Sequence, residues 1–244
     1  SGKTNTALRL AEKMPIDLIS VDSGQVYKEL NIGTAKPDIE TLEKFPHGLI
    51  NIRQINQPFS PDDFCYEASR LIKKSLQENR VPLLVGGTMF YFSALLNGLP
   101  KVPGPDIELR NRILNLGMKQ GWKRMHDLLK SIDPVSANRI CPEDSQRITR
   151  SLEINLSTGT NVPSSENRTK LCIKNANIIK VCLFISDRSE LHQRIRYRFQ
   201  IMLESGLVNE TVAIRNTYGS KANFPALRLS LIHISEPTRP ERIA

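Results

Sequence analysis

The first four residues of this chain could bind a phosphate group. Ser1-Gly2-Lys3-Thr4 matches the last four positions of a phosphate-binding loop of the form G-x-x-x-x-G-K-[ST]. In such a loop the backbone N–H groups at a helix N-terminus point at the anion. Lys3 would neutralise phosphate oxygens and Thr4 would be a ligand of Mg²⁺. The alternative is an ordinary helix start with an exposed lysine.

A carboxylate follows about one strand–helix unit later, where Asp22 ends an apolar run. Open α/β sheets bind their ligands at the carboxyl ends of the strands. Asp22 could be a Mg²⁺ ligand, a general base that takes a proton from an amine, or a cap of the following turn. The residues alone leave all three open. A phosphate-binding loop together with a lone acid suggests transfer of a group away from pyrophosphate.

Three further groups of residues are candidates for ligand contacts. Gly86-Gly87-Thr88 at a strand end lets a ligand approach the backbone, or forms a tight turn with Thr88 as the helix cap. The polar and basic side chains within 146–150 suit phosphate or base contacts. Arg194 and Arg198, one helical turn apart, could close over a pyrophosphate. For both basic groups the alternative is a solvated charged surface. The four histidines lack metal-ligand spacing, so no metal beyond Mg²⁺ is predicted.

The elements that must position these residues alternate between strands and helices, which predicts a parallel sheet with helices on both faces. Strands are expected at 16–21, 49–52, 81–85 and 178–185, and helices at 4–13, from Ser60 to Leu76, 89–96 and 191–203. From 106 to 158 the periodicity is helical throughout, and 159–175 is polar. We therefore expect an α/β core at 1–105 and 176–228, interrupted by an all-helical insertion at 106–175.

Composition is ordinary for a soluble globular protein. Of the 244 residues, 39% are hydrophobic and 24% charged, and no apolar run approaches the about 20 residues needed to span a membrane. The net charge is +9, and residues 106–180 alone carry 13 basic and 8 acidic side chains. That excess suits RNA or DNA phosphates, or a solvated helical surface. Four cysteines without CxxC spacing indicate thiols in a reducing cytosol.

Both ends of the chain look unnatural. The first glycine of the phosphate-binding loop and the strand before it are expected to be missing, because the chain opens inside the motif. From Leu229 onward the sequence resembles the translation of a sequencing adapter, so 229–244 is expected to be a non-native tail. With an incomplete loop, we expect the isolated chain to be inactive or nearly so.

As a set, the motifs resemble the tRNA dimethylallyltransferase (tRNA isopentenyltransferase) family over residues 1–228. The matching strings are Ser-Gly-Lys-Thr at 1–4, Ile-Ser-Val-Asp-Ser-x-Gln-Val-Tyr at 19–27, Asn-Ile-Gly-Thr-Ala-Lys-Pro at 31–37, Pro-Leu-Leu-Val-Gly-Gly-Thr-Met-Phe-Tyr at 82–91 and Asp-x-Gln-Arg-Ile-x-Arg at 144–150. The resemblance implies a P-loop NTPase-like, nucleotide-binding fold. It also implies transfer of a dimethylallyl group from its pyrophosphate to N6 of the adenosine 3′ of the anticodon.

The resemblance also implies roles for individual residues. Asp22 corresponds to the general base, with Thr88 beside it as a second catalytic candidate, and the insertion corresponds to the part that clamps the anticodon stem. From the residues themselves, the pyrophosphate site is expected to contain Ser1, Gly2, Lys3, Thr4, Arg194 and Arg198, with Thr4 on Mg²⁺. Contacts to tRNA are expected from Asp22, Ser23, Gly24, Gln25, Thr88, Arg110, Gln146, Arg147, Ile148, Thr149 and Arg150. We expect a cytoplasmic monomer.

Three other functions fit parts of the sequence. An adenylate isopentenyltransferase uses free AMP as acceptor and needs no large basic insertion, so the segment 106–175 argues against it. A small-molecule P-loop kinase would place Asp22 on Mg²⁺ or on a hydroxyl acceptor and would consume ATP. A non-catalytic RNA-binding protein would bind tRNA without Lys3.

Overall fold

A computed structural model describes residues 2–161 and 177–219. Its elements in chain order are α1 (Lys3–Ala11), β1 (Ile16–Val21), α2 (Ile39–Lys44), β2 (His47–Gly48), α3 (Pro61–Gln77), β3 (Val81–Gly86), α4 (Met89–Asn97), α5 (Ile107–Gln120), α6 (Trp122–Ile132), α7 (Pro134–Ala137), α8 (Ser145–Thr158), α9 (Arg188–Glu204) and α10 (Leu207–Tyr218).

The described sheet is parallel and has the strand order β2-β1-β3. β1 is central, and its side chains alternate between two buried faces because successive residues of a strand point to opposite sides. Ile16 and Leu18 enter the apolar cluster on one face, and Ile19 and Val21 enter the cluster on the other. A strand buried on both faces explains the nearly continuous apolar run that predicted β1 from the sequence.

Helices cover both faces of the sheet, as predicted. On one face Ala7 of α1 packs against Ile16 and Leu18. On the other face α3 and α4 contribute an aromatic pair, because the Phe64 and Tyr91 rings stack with their centroids 4.5 Å apart. The sheet is therefore sandwiched between helices, and its strand ends lie at the surface where ligands bind in this class of fold.

The start of α3 is determined by local sequence. The Ser60 side chain accepts a hydrogen bond from the Asp63 N–H, and the Asp63 carboxylate accepts one from the Ser60 N–H, so both form a capping box. Pro61 occupies the first helical position, where its missing N–H costs nothing. The predicted helix start is confirmed.

Two strand predictions are wrong. The apolar residues at 49–52 are mostly buried, but Leu49 and Asn51 have φ values of 68° and 58°, which turn the chain instead of extending it. The strand at that point is the two-residue β2 before them. The run 178–185 is irregular and largely exposed, and it is not among the strands of the described sheet. A strand depends on hydrogen bonds from a neighbour, which its own residue types cannot supply.

The last described helices differ from the prediction in extent and number. The helix expected at 191–203 begins earlier, at Arg188, because the Asp187 carboxylate accepts a hydrogen bond from the Ser189 N–H and caps it. α10 was not predicted. Its buried residues Leu207, Thr211 and Ile214 lie on one helical face, and Ile214 belongs to the larger core cluster of the sheet.

The chain divides into two compact units, Ser1–Leu96 with Cys172–Ala244 and Asn97–Leu171. The first contains the sheet, and the second contains α5 to α8. Residues 97–105, which the sequence analysis placed in the core, fall in the second unit. One contact that joins them to it is the hydrogen bond from the Arg150 guanidinium to the Pro103 carbonyl, at 2.7 Å.

The helical unit has an apolar core of its own, composed of Ile113, Met125, Leu129, Ala137, Ile148 and Leu152. Helix boundaries follow the punctuation expected from Gly121 and Pro134, since α5 ends and α6 begins at Gly121 and α7 starts at Pro134. Residues 162–175 of the predicted polar loop and the tail 229–244 lie outside the described residues.

None of the helices in the described ranges is long and apolar enough to cross a membrane. Cys65, Cys141 and Cys182 are thiols and form no disulfide with one another, and Cys172 lies outside the described residues.

We expect Gly86→Ala to destabilise the first unit severely. A Cβ at Gly86 would lie 2.0 Å from the Val21 carbonyl oxygen, a rigid backbone atom of the paired strand. Overpacking of this kind costs about 3 kcal/mol or more, measured as the loss of unfolding free energy in urea. Gly87→Ala is the matched control, because nothing lies within 4 Å of a Cβ there. Equal stability of the two variants would contradict this account of the close approach.

Candidate active site at the carboxyl ends of two parallel strands

Adjacent strands β1 and β3 end side by side. Val21 and Gly86 are paired in the strand register, and the Thr88 N–H donates to the Val21 carbonyl at 3.2 Å. Since parallel strands end at the same edge, the loops that follow them emerge together. This places the residues after Val21 next to the residues after Gly86.

The Asp22 carboxylate holds the first of these loops and keeps one oxygen for other use. Its Oδ1 accepts hydrogen bonds from the Gly24 N–H at 2.8 Å and the Gln25 N–H at 3.2 Å. No hydrogen bond to Oδ2 occurs within the described ranges. The turn-capping role left open by the sequence is therefore present, and it is compatible with a second role for Oδ2.

Thr88 links the second loop to the first. Its Oγ1 accepts a hydrogen bond from the Ser23 N–H at 3.1 Å, and the hydroxyl oxygens of the two residues are 3.4 Å apart. Both side chains are half-buried, as is that of Asp22. The structure thus brings Asp22, Ser23 and Thr88 together, although 65 residues separate Ser23 from Thr88 in the sequence.

Gln25 is fixed at both ends of its amide. Its Oε1 accepts a hydrogen bond from the Ser20 hydroxyl at 2.9 Å, and its Nε2 donates to the Thr34 carbonyl at 3.3 Å. Gly24 also lets Thr34 come close to this segment, because a Cβ at position 24 would lie 2.6 Å from the Thr34 Cγ2. The loop 31–36 therefore packs directly on the segment 22–25, which is predicted to contact tRNA.

The Lys36 ammonium ties the loop 31–36 to neighbouring residues by hydrogen bonds. Its Nζ donates to the Tyr27 carbonyl at 2.7 Å, the Asn31 Oδ1 at 2.9 Å and the Asn51 Oδ1 at 2.6 Å. Burial lowers the pKa of Lys36 to about 8, against the opposing effect of the Glu210 and Glu29 carboxylates. A pKa of about 8 leaves the ammonium mostly protonated at neutral pH, where it donates to all these oxygens.

The Glu210 carboxylate of α10 accepts hydrogen bonds from backbone N–H groups of the same loop. Its Oε2 accepts hydrogen bonds from the Asn31 and Ile32 N–H groups at 2.9 and 2.8 Å, and its Oε1 accepts one from the Gly33 N–H at 3.0 Å. A carboxylate that accepts several backbone N–H bonds forms strong charge-assisted contacts. Sequence reasoning missed Glu210, because a lone acid nearly 180 residues from its partners gives no local signal.

The predicted pyrophosphate residues at the chain start lie at the N-terminus of α1. Gly2 is the residue before the helix and has a φ of 77°, Lys3 is half-buried and Thr4 is exposed. The connection from Ala11 to Ile16 is short, and Ala7 of α1 packs against Ile16 and Leu18 of β1. Ser1 lies outside the described residues.

The other predicted pyrophosphate residues, Arg194 and Arg198, lie on the exposed helix α9. Arg194 forms an ion pair with Glu190 one turn earlier on the same helix. No hydrogen bond or ion pair in the described part of the chain joins either arginine to α1 or to 22–25. Their role in pyrophosphate binding stays a prediction.

The residues present fit a metal that is held mainly by its substrate. No group of three or more His, Cys, Asp or Glu side chains suited to a metal occurs among the described residues. Mg²⁺ bound with phosphates keeps waters and substrate oxygens and needs only one or two protein ligands. The exposed Thr4 hydroxyl at the start of α1 matches that requirement.

In the helical unit the predicted RNA-contacting residues separate into two groups. Gln146 and Arg147 are exposed on α8, and Arg110 and Arg150 are partly exposed. The side chains of Ile148 and Thr149 are buried, with 0% and 4% exposure. The helical period turns these two side chains into the unit, and contact of either residue with RNA stays a prediction.

A family model described as IPP transferase matches residues 25–231. The tRNA dimethylallyltransferase of Thiobacillus denitrificans is 42% identical over 228 residues, which cover 93% of this chain and 72% of the relative. The chain belongs to the IPP transferase family. The tRNA dimethylallyltransferase 2 of Hahella chejuensis is 40% identical, with 93% of this chain and 73% of the relative covered.

Solved structures agree with this assignment. The full-length tRNA isopentenylpyrophosphate transferase of Bacillus halodurans has a TM-score of 0.60 and 31% identity, with 93% of this chain and 70% of that chain covered. A eukaryotic dimethylallyltransferase described as acting on tRNA has a TM-score of 0.68 and 26% identity, with coverage of 91% and 55%. The predicted P-loop NTPase-like fold class is confirmed. IPP transferases are prenyl-transferring enzymes, and nothing in these similarities favours a kinase.

We expect Glu210→Gln to loosen the loop 31–36. The amide has only one acceptor oxygen and carries no charge, so the charge-assisted bonds to Asn31, Ile32 and Gly33 are weakened. Hydrogen exchange of these three amides should accelerate by about 10-fold or more. Glu204→Gln is the control, since the described hydrogen bond of Glu204 goes only to Gln200 on its own helix. Unchanged hydrogen exchange of these amides in Glu210→Gln would show that Glu210 does not hold the loop 31–36.

Proposed function

We propose that this protein transfers a dimethylallyl group from dimethylallyl pyrophosphate to N6 of the adenosine 3′ of the anticodon in tRNA. The observation that carries the proposal is the meeting of Asp22, Ser23 and Thr88 at the ends of two parallel strands. It occurs in a chain that belongs to the IPP transferase family and has relatives named tRNA dimethylallyltransferase.

The chemistry requires a base beside the acceptor amine. The lone pair of an exocyclic adenine amine is delocalised into the ring, which makes the amine a poor nucleophile. In the proposed reaction N6 forms a bond to the allylic carbon, and the bond from that carbon to pyrophosphate breaks, so pyrophosphate leaves with the electron pair. The Asp22 Oδ2 accepts the N6 proton as the new bond forms. Oδ1 keeps the loop in place throughout.

The leaving pyrophosphate needs positive charge and N–H donors. The first N–H groups of α1 and the Lys3 ammonium supply both, and Arg194 and Arg198 are further candidates. Thr4 would hold a divalent metal, for which we propose Mg²⁺. When bound, this metal would neutralise charge on the pyrophosphate oxygens.

The target base must leave the stack of the anticodon loop to reach the acid. Extruding a nucleotide costs a few kcal/mol, which contacts elsewhere on the RNA must offset. We assign recognition of the extruded adenosine to residues 22–25 with Thr88. Backbone contacts to the anticodon stem-loop are assigned to the basic surface of the helical unit, through Arg110, Gln146, Arg147 and Arg150. We place the protein in the cytoplasm as a monomer.

We expect Asp22→Asn to reduce transfer while RNA still binds. Asparagine retains an oxygen for the Gly24 and Gln25 N–H groups but cannot take the amine proton, so the rate should fall by about 10²-fold or more. The rate is measured in a version of the protein that carries the complete phosphate-binding loop, under single-turnover conditions with protein in excess. Asp38→Asn, at the exposed N-cap of α2, is the control. A normal rate in Asp22→Asn would remove Asp22 as the base.

The acceptor is tested by binding. We expect an anticodon stem-loop with adenosine 3′ of the anticodon to bind at least about 10-fold more tightly than one with guanosine there. Equal binding of the two RNAs would contradict the proposal. Competition by AMP at the same concentration would instead favour the adenylate reaction. Hydrolysis of ATP without use of dimethylallyl pyrophosphate would favour a kinase.

A further inference from the structure

A buried carboxylate joins two arginines in the helical unit. Glu153 of α8 is 1% exposed. Its Oε2 accepts hydrogen bonds from the Arg110 Nη2 at 2.7 Å and Nε at 3.2 Å, and it lies 3.1 Å from the Arg150 Nη1. Its Oε1 accepts a hydrogen bond from the Asp106 N–H at 2.7 Å, at the start of α5.

This arrangement contains more positive charge than the carboxylate needs. A buried carboxylate requires a partner charge and hydrogen bonds, and one guanidinium group with the Asp106 N–H would provide them. A second guanidinium leaves the cluster of Glu153, Arg110 and Arg150 with a formal net charge of +1. That excess is available to an anion.

The two guanidinium groups are fixed and still reach the surface. The side chains of Arg110 and Arg150 are 37% and 33% exposed. Arg110 uses Nε and Nη2 on Glu153, and Arg150 uses Nη1 on Glu153 and Nη2 on the Pro103 carbonyl. Among the contacts of the described residues, the Arg110 Nη1 and the Arg150 Nε are not used. A guanidinium held on one edge can bind an oxyanion with the other.

We propose that Glu153 is a positioning residue that holds Arg110 and Arg150 together as a binding site for one RNA phosphate. The inference rests on the proposed function, since it takes the anticodon stem-loop as the ligand. Glu153 itself does not touch the RNA. It fixes the two side chains in advance, so less rotamer entropy is lost when the phosphate binds.

Removing the charge of Glu153 separates positioning from simple electrostatics. If Glu153 acted only as a negative charge near the RNA, Glu153→Gln would strengthen binding, because the local net charge rises from +1 to +2. If Glu153 positions the arginines, the same change weakens binding, since a glutamine amide cannot hold two guanidinium groups. The two accounts predict opposite signs.

The experiment measures binding of a fluorescent anticodon stem-loop to the full chain over a series of salt concentrations. We expect Glu153→Gln to weaken binding about fivefold or more, and the slope of log K against log salt to become shallower by about 0.7 to 0.9 for a lost phosphate contact. Glu108→Gln is the matched control, because Glu108 is exposed on α5 and its ion pair within the described residues is with Arg112 of the same helix. It removes the same charge from the same unit and should not weaken binding.

If the Glu153→Gln protein does not fold, RNA binding is compared instead in a variant that lacks both arginines, with and without Glu153→Gln. In Arg110→Gln/Arg150→Gln the carboxylate has nothing to position, so adding Glu153→Gln should not weaken RNA binding further. Further weakening there, or unchanged or tighter binding by a folded single variant, overturns the inference. A wild-type chain that binds RNA without preferring the anticodon adenosine would instead defeat the proposed function, while the effect of Glu153 on the salt slope would remain measurable.

Discussion

The parallel pairing of β1 with β3 is the constraint on which the candidate site depends. Val21 and Gly86 lie opposite each other, and only glycine allows the two backbones to come as close as they do there. Because the pairing fixes where both strands end, it also fixes the meeting of Ser23 with Thr88. The Asp22 carboxylate and the Thr88 hydroxyl are thus placed by the main-chain hydrogen bonds between the two strands.

The loops of the first unit have little regular structure, so carboxylates and one ammonium group replace the missing main-chain hydrogen bonds. Asp22 accepts two N–H bonds in the loop after β1, and Glu210 accepts three in the loop 31–36. Lys36 donates to carbonyl and amide oxygens of the surrounding chain. Polar backbone groups away from helices and strands must find such partners when they are removed from water. The segment 22–25 and the loop 31–36 are held in place by these contacts.

The helical unit uses a buried acid differently. Glu153 accepts from side chains more than from the backbone, and its partners Arg110 and Arg150 come from two helices. The same residue therefore contributes to the packing of α5 on α8 and sets the geometry of two cations at the surface. In the proposed phosphate site stability and RNA binding would depend on the same interaction, so a change of charge and a change of stability must be measured separately.

The sequence by itself determined whatever depends on near neighbours. The apolar runs predicted β1 and β3, Ser60 and Pro61 predicted the start of α3, and the motifs identified the family and the candidate residues Asp22 and Thr88. Burial was also readable at 49–52, but the left-handed backbone of Leu49 and Asn51 was not, and neither was the absence of a strand at 178–185. Tertiary structure alone decided that Glu210 holds the loop 31–36 and that Glu153 pairs two arginines. The physical reason is that a charged side chain has no preferred partner until the fold brings distant donors within hydrogen-bonding distance.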